Sequence, residues 1–198
     1  MIFKKFNDKG WIFSKLIGIG ILGIILWLTF YMKILSFSIA SCWIAVILFG
    51  IFGAIIVISK HNKQQDQTQL CELIKEILKS EIVFCVALIA FTYLRNFNVS
   101  INCDTEKYMD FGYMNSIFYS KYMPVEDIWF SGHSINYYYF GQYISAFVTK
   151  LSFLNPPEGY NMMIALIGAL SFSLPCSIGY NLGLKLIEYK MRKQKRGK

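Results

Sequence analysis

The chain has 198 residues, of which 55% are hydrophobic, and its mean hydropathy is +0.43, which is outside the usual range of soluble globular domains. The formal net charge of +8 is concentrated beside apolar blocks, so it indicates contact with membrane headgroups and no nucleic acid partner. The five cysteines have no C-x-x-C spacing, which excludes the usual zinc and redox motifs.

Four apolar blocks approach the length of about 20 residues that a bilayer crossing needs. Residues 16–32 and 34–58 come first and predict a tight helical hairpin. The third block, residues 82–97, can begin near Leu78, and the fourth lies within residues 159–184. The sequence therefore predicts an all-α integral membrane protein with four transmembrane helices.

Lysines and arginines precede the first block, separate the second from the third, and fill the C-terminal end. The positive-inside rule assigns these positions to the cytoplasm. We therefore expect a multi-pass protein of the cell membrane, with both termini cytoplasmic and membrane lipids as its surroundings. The expected organisation in chain order is an N-terminal membrane region with three spans (1–97), an extracytoplasmic loop (98–158), the fourth transmembrane helix (159–184) and a basic cytoplasmic tail (185–198).

Three further segments have helical patterns. Residues 66–80 form an amphipathic cytoplasmic connector, and residues 104–121 begin the outer loop with a helix. Residues 137–154 have apolar side chains at spacings of four and three, which predicts one buried face. These side chains are Phe140, Ile144, Phe147, Leu151 and Leu154. This segment also contains Gln142 and Lys150, and a crossing here would put the basic tail outside. We interpret it as an interfacial helix in place of a fifth span.

The outer loop holds half of the chain's twelve acidic residues. Glu106 and Asp110 are four positions apart, so their carboxylates share one helix face, where they could bind a divalent cation or divide acid and base roles. The alternative is a solvated helix start whose acids only complement the helix dipole. His133 has no second ligand candidate in the loop, so we predict no metal site and no cofactor other than such a cation.

The loop also carries a long aromatic and acidic string. It reads EKYMDFGYMNSIFYSKYMP, then DIWFSGHSINYYYFGQYISAFVTKL, then PPEGYNMMIALIGALSFSL. These stretches resemble the YYY-type membrane protein family, an uncharacterised prokaryotic group named for its tyrosine triplet, over about residues 81–182. Two positions depart from the family pattern, since Tyr108 stands in place of a proline and His133 in place of a glycine.

The order of parts is also similar to the N-terminal portion of the GT-C superfamily of membrane glycosyltransferases. An acid-rich helix start of the form D-x-x-x-Y-x-[DE] matches Asp104, Tyr108 and Asp110. The resemblance implies a polyprenyl-phosphate sugar as donor and an acidic base. It implies Glu106, Asp110 or Asp104 as the catalytic residue. The substrate-binding residues that it implies are Asp127, Trp129, His133, Asn136, Tyr137, Tyr138 and Tyr139.

Two function classes follow. The first is a fragment or module of a glycosyltransferase that needs further spans from a membrane-protein partner. The second is a non-catalytic module that binds a lipid-linked sugar or docks onto such a partner. A transporter or channel is disfavoured, because the interiors of the four blocks lack the ionisable groups that ion pathways usually use.

Overall fold

The computed structural model describes residues 3, 6–60, 67–101 and 105–196. Within those ranges the chain is all-helical, with one isolated antiparallel bridge between Glu126 and Ser134. The helices are α1 (Trp11–Tyr31), α2 (Ile39–Lys60), α3 (Gln67–Asn96), α4 (Thr105–Tyr119), α5 (Phe140–Leu151) and α6 (Pro156–Arg196).

Four helices in the described ranges are long and apolar enough to cross a membrane, which confirms the predicted fold class. The qualifying segments are Trp11–Tyr31, Ile39–Ile56, Cys71–Asn96 and Pro156–Gln194. The orientation of the termini stays a prediction that rests on the positive-inside rule.

Two helices are longer than the sequence pattern indicated. The described part of the connector 66–80 is continuous with the third span in α3, because no glycine or proline interrupts residues 67–96. Helix α6 does not end at residue 184 but continues to Arg196 through most of the expected basic tail. Lysine and arginine are good helix formers, so the basic segment extends the helix.

Helices α3 and α6 form a closely packed pair inside the membrane region. Ala87 of α3 and Ala169 of α6 are buried between them, together with Leu170. At Gly168 the missing side chain leaves room for the ring of Phe91, whose atoms would lie within 3 Å of an added Cβ. Small residues of this kind let two membrane helices approach closely.

A second core contains residues of α4 and α5 together with residues from the C-terminal half of α1 and the start of α2. Tyr143 of α5 is fully buried, and its hydroxyl donates a hydrogen bond of 3.1 Å to the carbonyl oxygen of Gly23 in α1. Met114, Ile117 and Phe147 complete the centre of this core. Helix α5 has 12 residues, about 18 Å, which is too short to cross a hydrocarbon core of about 30 Å alone.

The buried face of α5 differs from the one that the apolar spacing predicted. Phe140 is 39% exposed, whereas Lys150 is only 7% exposed. The Lys150 Nζ atom lies 4.6 Å from the ring centroid of Phe37 and 4.4 Å from that of Phe118. Two aromatic faces thus surround the ammonium group, and they partly compensate for its loss of water. Burial nevertheless lowers the pKa of Lys150.

We predict that Gly168→Ala destabilises the protein by about 1–3 kcal/mol, because its methyl group would collide with the Phe91 ring. Thermal unfolding of the purified protein in detergent measures the effect. Gly179→Ala is the matched control on the same helix, since nothing lies near its added Cβ. Equal melting temperatures for the two variants would contradict the close approach of α3 and α6.

We also predict that Lys150→Met changes how stability depends on pH. The lowered folded-state pKa means that the unfolded wild type binds more protons between that pKa and the ordinary value of 10.5. The stability of the wild type relative to Lys150→Met therefore rises as the pH increases through this window.

Unfolding at a series of pH values, from neutral to 10.5, tests this expectation. Lys121→Met replaces an exposed lysine and serves as the control for the removal of one ammonium group from the surface. A difference between wild type and Lys150→Met that stays constant with pH would show that burial does not affect Lys150.

Candidate functional site

A cleft of about 340 Å³ opens between α4, α5 and the first turns of α6. One end of the cleft is polar, with Asp110, Gln142 and Ser145. The wall that α6 contributes is apolar on the C-terminal side of Tyr160, where it consists of Met163, Ile164 and Ile167. The cleft therefore combines a polar end with an apolar wall on a helix that is long and apolar enough to cross a membrane.

The polar end is held by one side-chain hydrogen bond between α4 and α5. The Nε2 atom of Gln142 donates to Oδ1 of Asp110 at 2.8 Å. An ionised Asp110 only accepts hydrogen bonds, so it fixes the orientation of the Gln142 amide. Within the described part of the chain, Oε1 of Gln142 is buried and has no hydrogen-bond partner. Buried acceptors are normally paired, so a donor on a ligand would satisfy this oxygen.

Residues 120–139, between α4 and α5, form a loop that we call the aromatic loop. It packs on α4 outside the cleft. The N–H of Asp127 donates to the carbonyl oxygen of His133 at 2.8 Å, and that of Ile135 donates to Val125 at 3.0 Å. Gly132, with a φ of 81°, lies in the turn that connects residues 125–127 to residues 133–135. The side chain of Ile128 contacts α4 at Gly112, where it fills the space that a Cβ of residue 112 would occupy.

Asp127 has a structural role in this loop. Its Oδ1 atom accepts a hydrogen bond of 2.8 Å from the backbone N–H of Trp129, which stabilises the turn. Its carboxylate also lies close enough to Tyr113 that burial and this negative charge raise the pKa of the Tyr113 hydroxyl. The rings of Phe130 and His133 meet edge to face at 4.3 Å, and both side chains are exposed.

The three tyrosines of the triplet have three different environments. The ring of Tyr137 lies 5.8 Å from that of Tyr113, which attaches the loop to α4. Tyr138 is 87% exposed. Tyr139 is half-buried, and its ring centroid lies 6.5 Å from that of Trp27. Its carbonyl oxygen accepts a hydrogen bond from the backbone N–H of Tyr143 in the first turn of α5. Burial raises the pKa of Tyr139.

The structure separates the residues that the resemblance grouped together. Of the expected catalytic residues, Asp110 lies in the cleft, Glu106 is exposed in the first turn of α4, and Asp104 falls outside the described residues. The expected substrate-binding residues do not line the cleft. They lie in the aromatic loop, with Trp129, His133, Asn136 and Tyr138 exposed.

Gln142 and Tyr160 also line the cleft, although no sequence motif indicated them as site residues. Gln142 is an amide among the mostly apolar residues at the start of α5, and this is the signal that could have identified it. Tyr160 lies in the first turns of α6, where its ring contacts Phe111 of α4 edge to face at 5.8 Å. Among the described residues, no group of three histidine, cysteine or acidic side chains could hold a metal ion.

We predict that alanine substitutions in the triplet have unequal effects on thermal stability in detergent. Tyr139→Ala is expected to cost about 2 kcal/mol through lost burial, and Tyr137→Ala about 1 kcal/mol through the lost ring pair. Tyr138→Ala is expected to change stability by less than about 0.5 kcal/mol, because its side chain is exposed. Three equal losses would contradict the separate environments.

The family comparison agrees with the membrane architecture. Residues 21–194 match the model of a family described as uncharacterized membrane protein (DUF2298). No curated protein and no solved structure matches the chain. The matched segment contains α2 to α5 and nearly all of α6, including every residue of the cleft. The chain therefore belongs to this family of uncharacterised membrane proteins.

Proposed function

We propose that the chain is a glycosyltransferase-like membrane module that binds a polyprenyl-phosphate sugar in the cleft, with Asp110 as the catalytic base. The observation that carries this proposal is the position of the Asp110 carboxylate, at the polar end of a cleft whose apolar wall belongs to a helix long and apolar enough to cross a membrane. The resemblance to the GT-C superfamily supports the same reaction class.

The two ends of the cleft suit the two parts of such a donor. The apolar α6 wall at Ile164 and Ile167 would contact the polyprenyl chain. The sugar would lie at Asp110 and Gln142, where the buried Oε1 of Gln142 can accept a hydrogen bond from a sugar hydroxyl. The Tyr160 ring offers an apolar face against the C–H surface of the sugar.

The reaction needs one base and a leaving phosphate. Asp110 takes the proton of the acceptor hydroxyl, and the resulting oxygen attacks the anomeric carbon of the donor sugar. The bond between that carbon and the phosphate oxygen breaks, and polyprenyl phosphate leaves with the electron pair. Gln142 orients Asp110 through its hydrogen bond.

The proposal includes a membrane-protein partner that supplies further spans. Only 6% of the membrane-spanning part of α2 is buried within this chain. A partner that packs against α2 would complete the wall of helices around a lipid-linked substrate.

A second candidate function is binding without catalysis. The exposed rings of Trp129, Phe130 and Tyr138 favour it, because they offer a docking surface outside the cleft. In this case the cleft holds the lipid-linked sugar for a partner that carries out the transfer, and Asp110 serves only in binding.

We predict that Asp110→Asn lowers sugar transfer from a radiolabelled polyprenyl-phosphate donor by about 100-fold or more, since the amide cannot accept the proton. The assay uses membranes in which the chain is co-expressed with a partner that supplies further spans. The matched variant is Glu106→Gln, one helix turn earlier, which lies outside the cleft and should keep its activity.

Donor binding, measured by photo-crosslinking, separates the two candidate functions. Retained donor binding with lost transfer in Asp110→Asn supports a catalytic base. Full transfer activity in Asp110→Asn, with donor still bound, would support the binding module. Lost transfer in Glu106→Gln with normal activity in Asp110→Asn would move the base to Glu106 and contradict the assignment.

A further inference from the structure

A second cavity, of about 440 Å³, lies between α1, α3 and α6 at the opposite end of the helix bundle. Ile12 stands in the first turn of α1, and Tyr180 lies in the C-terminal half of α6. The cavity is thus on the side of the N-terminus and of the basic segment, away from Asp110. It shares only α6 with the cleft.

One part of this cavity is apolar. Its walls are the buried Ile12 and the partly exposed Val83 and Phe172, all within helices that are long and apolar enough to span the membrane. Water does not stably fill an apolar space of this kind, and hydrocarbon does. The chemistry of the walls therefore fits an acyl chain.

The outer end of the same cavity is polar and charged. The Lys79 ammonium contacts the carboxylate of Glu76, which also accepts a hydrogen bond of 3.2 Å from the hydroxyl of Tyr180. The Lys79 side chain is 62% exposed, and an ammonium group has three N–H donors, of which the contact with Glu76 uses one. This end can therefore bind an anionic group that approaches from the membrane surface.

Ser177 of α6 also lines the cavity, one helix turn deeper than Tyr180. Its Oγ atom is buried and has no hydrogen-bond partner in the part of the chain that the structure describes. A buried hydroxyl is normally paired. An ester carbonyl of a lipid is an acceptor of the right polarity for this position, at the boundary between headgroup and hydrocarbon.

We infer that this cavity binds one acyl chain of a glycerophospholipid, with its ester carbonyl at Ser177 and its phosphate at Lys79. Apolar walls, an unpaired hydroxyl and an ammonium group follow one another from the membrane interior outwards, in the order that such a lipid presents its chain, ester and phosphate. The inference does not depend on the proposed transferase function, because it concerns other residues and another end of the bundle.

The test is a titration of the delipidated full-length protein in detergent with phosphatidylglycerol, followed by native mass spectrometry. We expect one tightly bound lipid per chain. Lys79→Gln should weaken binding about five-fold, the effect of one lysine near an anionic lipid. Lys75→Gln, on the same helix but outside the cavity, should leave binding unchanged.

Filling the cavity gives a second, independent variant. Cys176→Phe places a ring into the cavity and should abolish the one-to-one complex, whereas Cys85→Phe, an exposed cysteine of α3 outside the cavity, should not. If Cys176→Phe does not fold, the comparison of Lys79→Gln with Lys75→Gln alone tests the site. Equal weakening by Lys79→Gln and Lys75→Gln would overturn the site, and equally tight binding of diacylglycerol would overturn the phosphate contact.

Discussion

The hydroxyl of Tyr143 reaches the backbone of the first membrane helix, and the arrangement of the cleft depends on this contact. Tyr143 is fully buried, and its hydroxyl donates a hydrogen bond to the Gly23 carbonyl oxygen. Its ring fills the core between the two helices, and the hydrogen bond fixes α5 against α1. The neighbouring Gln142 then faces α4 and meets Asp110. Burial raises the pKa of Tyr143, so its hydroxyl keeps its proton and remains a donor.

The membrane helices could be predicted because their apolar blocks are long, and length combined with composition leaves few alternatives. Helix ends were less predictable. The merging of the connector with α3 and the extension of α6 to Arg196 reflect helix propensity, which continues past the limits of an apolar block. Lys150 could not be predicted as buried, because its position depends on two rings that are distant in sequence, Phe37 and Phe118.

The candidate site shows the same limit. The spacing of Glu106 and Asp110 indicated one helix face, and it could not say which of the two meets another helix. The contact with Gln142 selects Asp110, and it arises from tertiary packing. The tyrosine triplet is a single run in the sequence, yet neighbouring side chains of an irregular segment point in different directions. Tyr137 packs on α4, Tyr139 packs near α1, and Tyr138 projects from the surface.

Helix α6 has 41 residues and measures about 60 Å, roughly twice the thickness of the hydrocarbon core. It lines the cleft with residues up to Ile167 and the second cavity with residues from Phe172 onwards. Pro175 lies at the beginning of the second set and has no N–H to donate to the carbonyl oxygen of Ser171. One backbone hydrogen bond of α6 is therefore missing between the part of the helix that lines the cleft and the part that lines the second cavity, so the two sites are divided by the helix position with the fewest internal bonds.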